Sequence, residues 1–375
     1  MPLVDLAWQH GQIADEVALG FERVMATGAF IQGPEAAAFE VEFAAYSGVA
    51  HCVGVANGTD ALELALRAAG IGAGAEVVLP ANTFVATAEA VVRVGATPVL
   101  VDVDEDSGLV DIEHMAARVG RSTGAVMPVH LYGQIAPVEA LTEVLGDRVV
   151  MIEDAAQAQG ATRFGRGIGS WGAAAGTSFY PGKNLGAYGD AGAVLTADDE
   201  LARRVRRMGN HGSEVKYEHP TIGFNSRLDG LQAVVLRAKL RRLETWNDER
   251  RRAARRYDAG LAALVEAGLV HLPVTLPGNV HVWHLYVIRV PRRDAVLAEL
   301  NAAGIAAGIH YPVPVHLHEA FRSLGHRRGD FPVAERLAGE ILSLPIYPGI
   351  SESAQERVID AVTAALRVER VPVGP

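Results

Sequence analysis

Through its first two thirds the chain alternates short, unbroken apolar runs with segments of helical periodicity. HCVGVAN (51–57) and EVVLP (76–80) read as strands, and TPVLVDV (97–103), GAVMPVH (124–130) and RVVMIED (148–154) as three more of a continuous, β-branched kind. Unbroken runs belong to strands covered on both faces, as in a buried parallel sheet. Between them TDALELALRAAG (59–70) sets Ala and Leu on one helical face before a glycine stop, and FVATAEAVVRVG (84–95) reads as a second helix. The alternation predicts an α/β layered domain with its ligand site at the carboxyl ends of the strands.

The pattern changes after Leu228. From there to about Val265 it predicts one long helix or a helix pair, crowded with Arg and Leu. HVWHLYVIRV (281–290) then reads as a strand and DAVLAELNAAG (294–304) as a helix. IAAGIHYPVPVH and a closing helix near 351–368 complete a smaller α+β unit. The boundary is placed near residue 245, giving a large domain over 1–245 and a small C-terminal domain over 246–375. No internal repeat or low-complexity tract interrupts either one.

Composition narrows the class. With 375 residues, 49% hydrophobic and 21% charged, the chain has ordinary globular make-up and length enough for two domains. A net charge of −10 argues against a nucleic-acid partner, whose phosphates require clustered Lys and Arg. The basic run from Arg250 to Arg256 fits a solvated helix face. Cys52 is the single cysteine, so no intrachain disulfide is expected, and its apolar setting reads as a buried inert thiol in a reducing compartment. MPLVDLAWQH has no signal-peptide pattern and no apolar run is long enough to span a bilayer, so a soluble, cytoplasmic protein with no membrane partner is expected.

Some motifs suggest a chemistry that their context denies. GIGSWG (167–172) matches G-x-G-x-x-G, but RFGR precedes it and AAAGTSFY follows, where a dinucleotide site needs a strand and then a helix. A glycine-rich hairpin is the better reading. PGKN is no Walker loop, because Gly176 and Gly182 are wrongly spaced and Asn184 stands where a hydroxyl would meet magnesium. His310, His316 and His318 lie close together, yet Pro312 and Pro314 break any helix that would align them. With no Cys or acid at zinc spacing beside them, no metal is expected.

One grouping is coherent. Asp154 ends a predicted strand in VVMIEDAAQAQG, Gln157 follows one turn later, and Lys183 lies 29 residues beyond Asp154 in SFYPGKNLGAYGDAG. Taken singly, Asp154 reads equally well as a helix cap and Lys183 as a solvated loop residue. Gly58 and Thr59 open the helix in NGTDAL, where free N–H groups and the helix dipole suit a phosphate. Together these parts meet the needs of pyridoxal phosphate. The amine can form a Schiff base, and a buried carboxylate keeps the pyridine nitrogen protonated. Thr59 and Ser178 add hydroxyls for the phosphate, and Phe84 is placed as a platform for the ring.

The same segments resemble a known family. NGTDALELAL, PANTFVATAEAV, PVHLYGQ, IEDAAQAQG, SFYPGKNLGAYGDAG, GFNSRLDGLQA and IHYPVPVH are similar to the DegT family of pyridoxal-phosphate-dependent sugar aminotransferases, in family order from residue 57 to 316. The resemblance implies an α/β fold of the aspartate-aminotransferase kind (fold type I), with a mixed, mostly parallel seven-stranded sheet and a smaller α+β domain. It also implies a homodimer whose active sites lie at the subunit interface. Lys183 would hold the cofactor as the internal aldimine and shuttle a proton, its amine made less basic by burial. Asp154 would pair with the pyridine nitrogen, Gln157 with the phenolic oxygen, and Gly58, Thr59 and Ser178 with the phosphate, while Phe84 would stack on the ring. Asn225, in GFNSRLD, would reach the phosphate of the neighbouring subunit; read alone it is a turn former after Gly223. Relatives with histidine in place of this lysine dehydrate their sugar, so Lys183 implies transamination, with L-glutamate the family's usual amino donor.

NHGSEVKYEH, GFNSRLD and GIHYPVPVH resemble the branch that aminates C3 of a dTDP-linked 3-keto-6-deoxyhexose. By that analogy Tyr180, Tyr217, His310 and Tyr311 would meet the sugar and its diphosphate, with Lys216 reaching in from the other subunit. As residues alone they read equally as interface packing. The rivals are amination at C4, a keto-inositol substrate and, in a different class, a catalytically silent regulatory or binding homologue. Amino sugars of this kind supply secondary-metabolite glycosides or surface polysaccharides.

Overall fold

The computed structural model describes residues 1–146 and 149–367. Arg148, counted above in the fifth strand, and residues 368–375 of the C-terminal unit lie outside them.

The main sheet is built from β1 (His51–Val55), β2 (Glu76–Pro80), β3 (Thr97–Val101), β4 (Thr123–Val126), β5 (Val150–Asp154), β8 (Ala174–Ser178) and β9 (Gly192–Thr196). Its seven strands run in the order β1-β9-β8-β5-β4-β2-β3. All neighbours are parallel except β9, which is antiparallel to both β1 and β8. The five strands expected from the apolar runs are all present, each starting or stopping within a few residues of its predicted limits.

Helices cover both faces. α4 (Gly58–Ala68), α5 (Val85–Arg93) and α8 (Asp199–Gly209) lie on one side, and α3 (Gly33–Ser47), α7 (Val138–Leu145) and α9 (Gly230–Leu240) on the other. Because strand side chains alternate, Val53, Val77 and Ile152 enter the first core while Cys52, Val78 and Met151 enter the second. Cys52 is buried, as expected. In the second core Phe39, Phe43 and Phe179 form a trio with ring centroids 5.3–5.6 Å apart, where truncating one ring to alanine costs about 3–5 kcal/mol.

Strands β8 and β9 both escaped the sequence reading, β9 despite the aliphatic run in GAVLT and β8 for a steric reason. β8 is AAGTS, small residues without an aliphatic run, because α4 lies flat upon it. A Cβ on Gly176 would stand 2.6 Å from Leu62 Cδ2. Close helix–strand approach erased the pattern that marks a strand.

After α9 the chain enters α10 (Leu243–Glu266), so the predicted helical stretch is a pair. A further core forms there around Tyr257, Tyr286, Leu300, Leu342 and Val358. It joins α10 to α11 (Arg293–Ala302), α13 (Glu352–Arg367) and the antiparallel pair β11 (Tyr286–Arg289) and β12 (Ile341–Leu344). The expected strand over 281–290 survives only as β11. Upstream of it Trp283 takes φ 48°, and the N–H groups of Val282 and Leu285 donate to the carbonyls of Gly133 (2.8 Å) and Tyr132 (3.2 Å). The apolar residues there dock one part of the molecule on another.

Arg250 also corrects its expectation. It is 1% exposed, and its Nη1 donates to the carbonyls of Trp283 (3.1 Å), His284 (3.4 Å) and Ile346 (2.9 Å). Arg252 and Arg255, further along the run, do face solvent. No helix among the described residues is long and apolar enough to cross a membrane.

Candidate active site

The carboxyl ends of the strands surround a cavity of about 630 Å³. Asp154, the last residue of β5, is buried within it. Its Oδ2 accepts from Thr87 Oγ1 (2.7 Å) and its Oδ1 from the Ala156 N–H (3.1 Å). Since Thr87 donates to the carboxylate, the hydroxyl contact at 2.7 Å makes Thr83 the donor to Thr87. Burial pushes the Asp154 carboxyl up from its ordinary value, while Thr87, the Ala156 N–H and Lys183 oppose the rise. Such a site favours a cationic partner for the acid.

Lys183 faces the same cavity from the loop after β8. Burial lowers its amine to about 8, against the opposing pull of Asp154. Of the glycines around it, Gly186 is the one that the turn demands. A Cβ there would lie 2.2 Å from the Pro181 carbonyl oxygen, whereas at Gly182 nothing is closer than 3.7 Å.

α4 points its N-terminus at the cavity. The Asn57 side chain caps it by accepting from the Asp60 N–H (2.8 Å). That leaves the N–H groups of Gly58 and Thr59 outside the helix's own bonding. A Cβ on Gly58 would meet Ser178 Cβ at 2.5 Å, so helix end and hydroxyl are pressed together at a spot with room for an anion only beyond them. Phe84 presents a ring that is 51% exposed, 5.2 Å from the Tyr311 ring centroid. Gln157 is oriented by the Tyr132 N–H, which donates to its Oε1 (2.7 Å), so that its Nε2 donates to the Tyr311 hydroxyl (3.1 Å). A cation-seeking acid, a deprotonatable amine, an anion cradle and a free aromatic face together fit pyridoxal phosphate.

Gly58, Thr59, Phe84, Asp154, Gln157, Ser178, Tyr180, Lys183, His310 and Tyr311 therefore line one cavity. Asn225, Lys216 and Tyr217 do not. Asn225 is exposed and accepts from Arg227 Nη2 (2.8 Å), while the Lys216 ammonium lies 5.0 Å from the ring of Tyr217, itself 82% exposed. The three histidines that suggested a metal go separate ways. His310 Nδ1 bonds Ser343 Oγ (2.8 Å) and His316 Nε2 bonds Glu335 (2.9 Å), and the His318 side chain joins neither. The sequence reading passed over Thr83, Thr87 and His284. The two threonines sit four residues apart at the start of a helix, which was a usable signal; His284 was hidden in a run read only as a strand.

GIGSWG has a role of its own. After a hairpin of β6 (Thr162–Arg163) and β7 (Arg166–Gly167), its backbone folds around Glu153, the neighbour of Asp154 on the opposite face of β5. Glu153 is fully buried and accepts from the N–H groups of Gly169 (3.0 Å), Trp171 (3.1 Å) and Gly172 (2.8 Å). His130 Nδ1 accepts from the Ala136 N–H (3.2 Å), so Nε2 carries the proton donated to Glu153 (2.9 Å). Burial pushes the Glu153 carboxyl up, but His130 and the glycine N–H groups outweigh it and hold it below the ordinary range.

A lysine and a buried carboxylate at the carboxyl edge of this sheet fit the pyridoxal-phosphate enzymes of fold type I. The model of the DegT/DnrJ/EryC1/StrS aminotransferase family matches residues 12–363, and the chain belongs to that family. It is 47% identical over 364 residues to a dTDP-3-amino-3,4,6-trideoxy-alpha-D-glucose transaminase of Streptomyces venezuelae, covering 96% of this chain and 95% of that one. It is 46% identical over 369 residues to a UDP-N-acetyl-3-dehydro-alpha-D-glucosamine 3-aminotransferase of Acidithiobacillus ferrooxidans, covering 98% of each. Among solved structures, S. venezuelae DesV in complex with a ketimine intermediate superposes with a TM-score of 0.94 at 46% identity, over 98% of this chain and 99% of that one.

Proposed function

We propose that this aminotransferase uses pyridoxal phosphate, anchored covalently on Lys183, to convert a dTDP-3-keto-6-deoxyhexose into its 3-amino derivative, with L-glutamate as amino donor. The observation that carries the reading is that Lys183 and Asp154 line one cavity together with Gly58, Thr59 and Ser178. Bound there, the cofactor supplies an electron sink for the carbon that gains or loses the amine. Asp154 holds a proton on the ring nitrogen, and the hydroxyls of Thr87 and Thr83 keep the carboxylate aimed. The N-terminus of α4 and Ser178 bind the phosphate, Phe84 covers the ring, and Gln157 hydrogen-bonds its phenolic oxygen. With the cofactor bound, Lys183 would hold it and its amine would carry the proton to and from the reacting carbon, which its lowered pKa favours. Asn225 of a second copy completes the phosphate cradle in a homodimer.

Both relatives described above bear names that place the amino group at C3, which supports that position over C4. They differ in nucleotide, so a UDP-linked sugar is the second reading. The purified protein should show a visible band that borohydride removes, with the label on Lys183, and Lys183→Ala should lose both band and turnover. Assay with glutamate should give product from dTDP-3-keto-6-deoxyhexose. Turnover of the 4-keto isomer alone would sink the C3 assignment, and turnover of a UDP-3-ketosugar alone would move it to the second reading.

A further inference from the structure

We propose that His284 is a specificity residue for the sugar: its Nε2 accepts a hydrogen bond from a sugar hydroxyl beside the reacting carbonyl. The proposal rests on the nucleotide-ketosugar reading above, and it starts from a chain of amides that fixes one tautomer. Asn247 Nδ2 donates to the Gln159 carbonyl (3.1 Å), which turns Asn247 Oδ1 toward Asn184. Asn184 Nδ2 donates to that oxygen (2.9 Å) and to the Val282 carbonyl (2.8 Å). Asn184 Oδ1 is thereby left facing His284 Nδ1 at 3.2 Å. An amide oxygen only accepts, so Nδ1 carries the proton and the neutral ring offers a lone pair at Nε2.

The ring is held and placed as well as oriented. Arg250 donates to the carbonyls of Trp283 and His284, pinning the backbone that bears it. His284 is buried but for the part that lines the cavity with Lys183, His310 and Tyr311. Burial first, and then the cations Lys183 and Arg250, keep the imidazole from taking up a second proton. Nε2 is therefore an acceptor and stays one.

An acceptor of fixed tautomer discriminates by what the ligand brings. A sugar brings hydroxyl donors next to its carbonyl. The carboxylates of an amino-acid donor bring only acceptors, and a lone pair facing them would repel. Tyr311 is complementary: its oxygen already accepts from Gln157, so its own proton is free for the site. The cavity thus presents a fixed acceptor and a fixed donor, a pattern that the hydroxyls and carbonyl of a polyhydroxylated ketone meet, whereas the carboxylates of glutamate meet only the donor.

The two half-reactions separate the role from a structural one. In His284→Phe holoenzyme, single-turnover amination of dTDP-3-keto-6-deoxyhexose should fall roughly ten- to a hundredfold in kcat/KM, the cost of one unpaired polar group. The half-reaction with L-glutamate should change less than about threefold. His284→Gln, whose amide reaches the Nε2 position, should recover most of the loss. The wild-type enzyme gives the same test without a variant: one deoxy analogue of the sugar should lose a similar factor, and that loss should not add to His284→Phe. Equal losses in both half-reactions, or no deoxy analogue that discriminates, overturns the role of His284. A wild-type enzyme that reacts with glutamate but with no nucleotide-linked ketosugar instead sinks the reading beneath it, and the role with it.

Discussion

Lys183 and Asp154 were legible because each sits where the chain's local pattern singles it out, one on a glycine turn and the other at the end of an apolar run. Thr83 and Thr87 offered only their spacing as a signal and His284 none, since their value depends on which distant atoms they meet. Arg250 was misread for the same reason, because a charge pattern cannot reveal that three backbone carbonyls converge on one guanidinium. Burial gives Lys183 a measurable property without any catalysis. Its pKa of about 8 lies below an ordinary lysine's 10.5, so the neutral amine should gain population as pH rises through about 8. Peptide-resolved acylation of cofactor-free protein should show Lys183 reacting with a midpoint near that value, and a midpoint close to 10.5 would contradict the burial argument. Lys239 is an internal contrast, lowered to about 8 as well, but 2% exposed beneath the Tyr188 ring. It should label far more slowly.

At the scale of the element, β5 carries two carboxylates with opposite tasks. Glu153 ties the loop 169–172 and His130 to the back of the sheet, while Asp154 faces the cavity. Removing Glu153 leaves several buried donors unpaired, so Glu153→Ala should destabilise the fold by about 3–5 kcal/mol, with Glu153→Gln less severe. Urea midpoints would check the order. The sign of the pH dependence follows from its lowered pKa. The contribution of Glu153 is complete above its ordinary value of 4.5 and is lost as pH falls through the lower folded value. In Glu153→Gln that part of the acid sensitivity should vanish. The strand itself was readable from VVMIED, but its loop partner was not, since G-x-G-x-x-G says that a backbone can wrap an anion and not which anion. The weak signal at β8 has the same origin in packing: what α4 needs beneath it is small size, and small residues announce no secondary structure.

At the scale of the whole molecule, Asn225, Lys216 and Tyr217 stand outside the cavity of their own chain, and the homodimer proposed above assigns Asn225 to the neighbour's site. Mixing Lys183→Ala with Asn225→Ala subunits after reversible dissociation should therefore restore activity to about a quarter of wild type, because half the dimers are mixed and each holds one intact site. Absence of recovery in proven mixed dimers would reject shared sites. The amide brace beside Lys183 has a consequence in time. Asn184 is tied to Asn247, Val282 and His284, which follow it by 63, 98 and 100 residues. A ribosome delivers all seven strands of the main sheet and Lys183 well before those anchors, so during synthesis the Lys183 loop is made before its brace. The loop gains its brace only once α10 and the segment after it have been made, so a chain stalled short of residue 247 would hold Asp154 and Lys183 without the side chains that anchor Asn184.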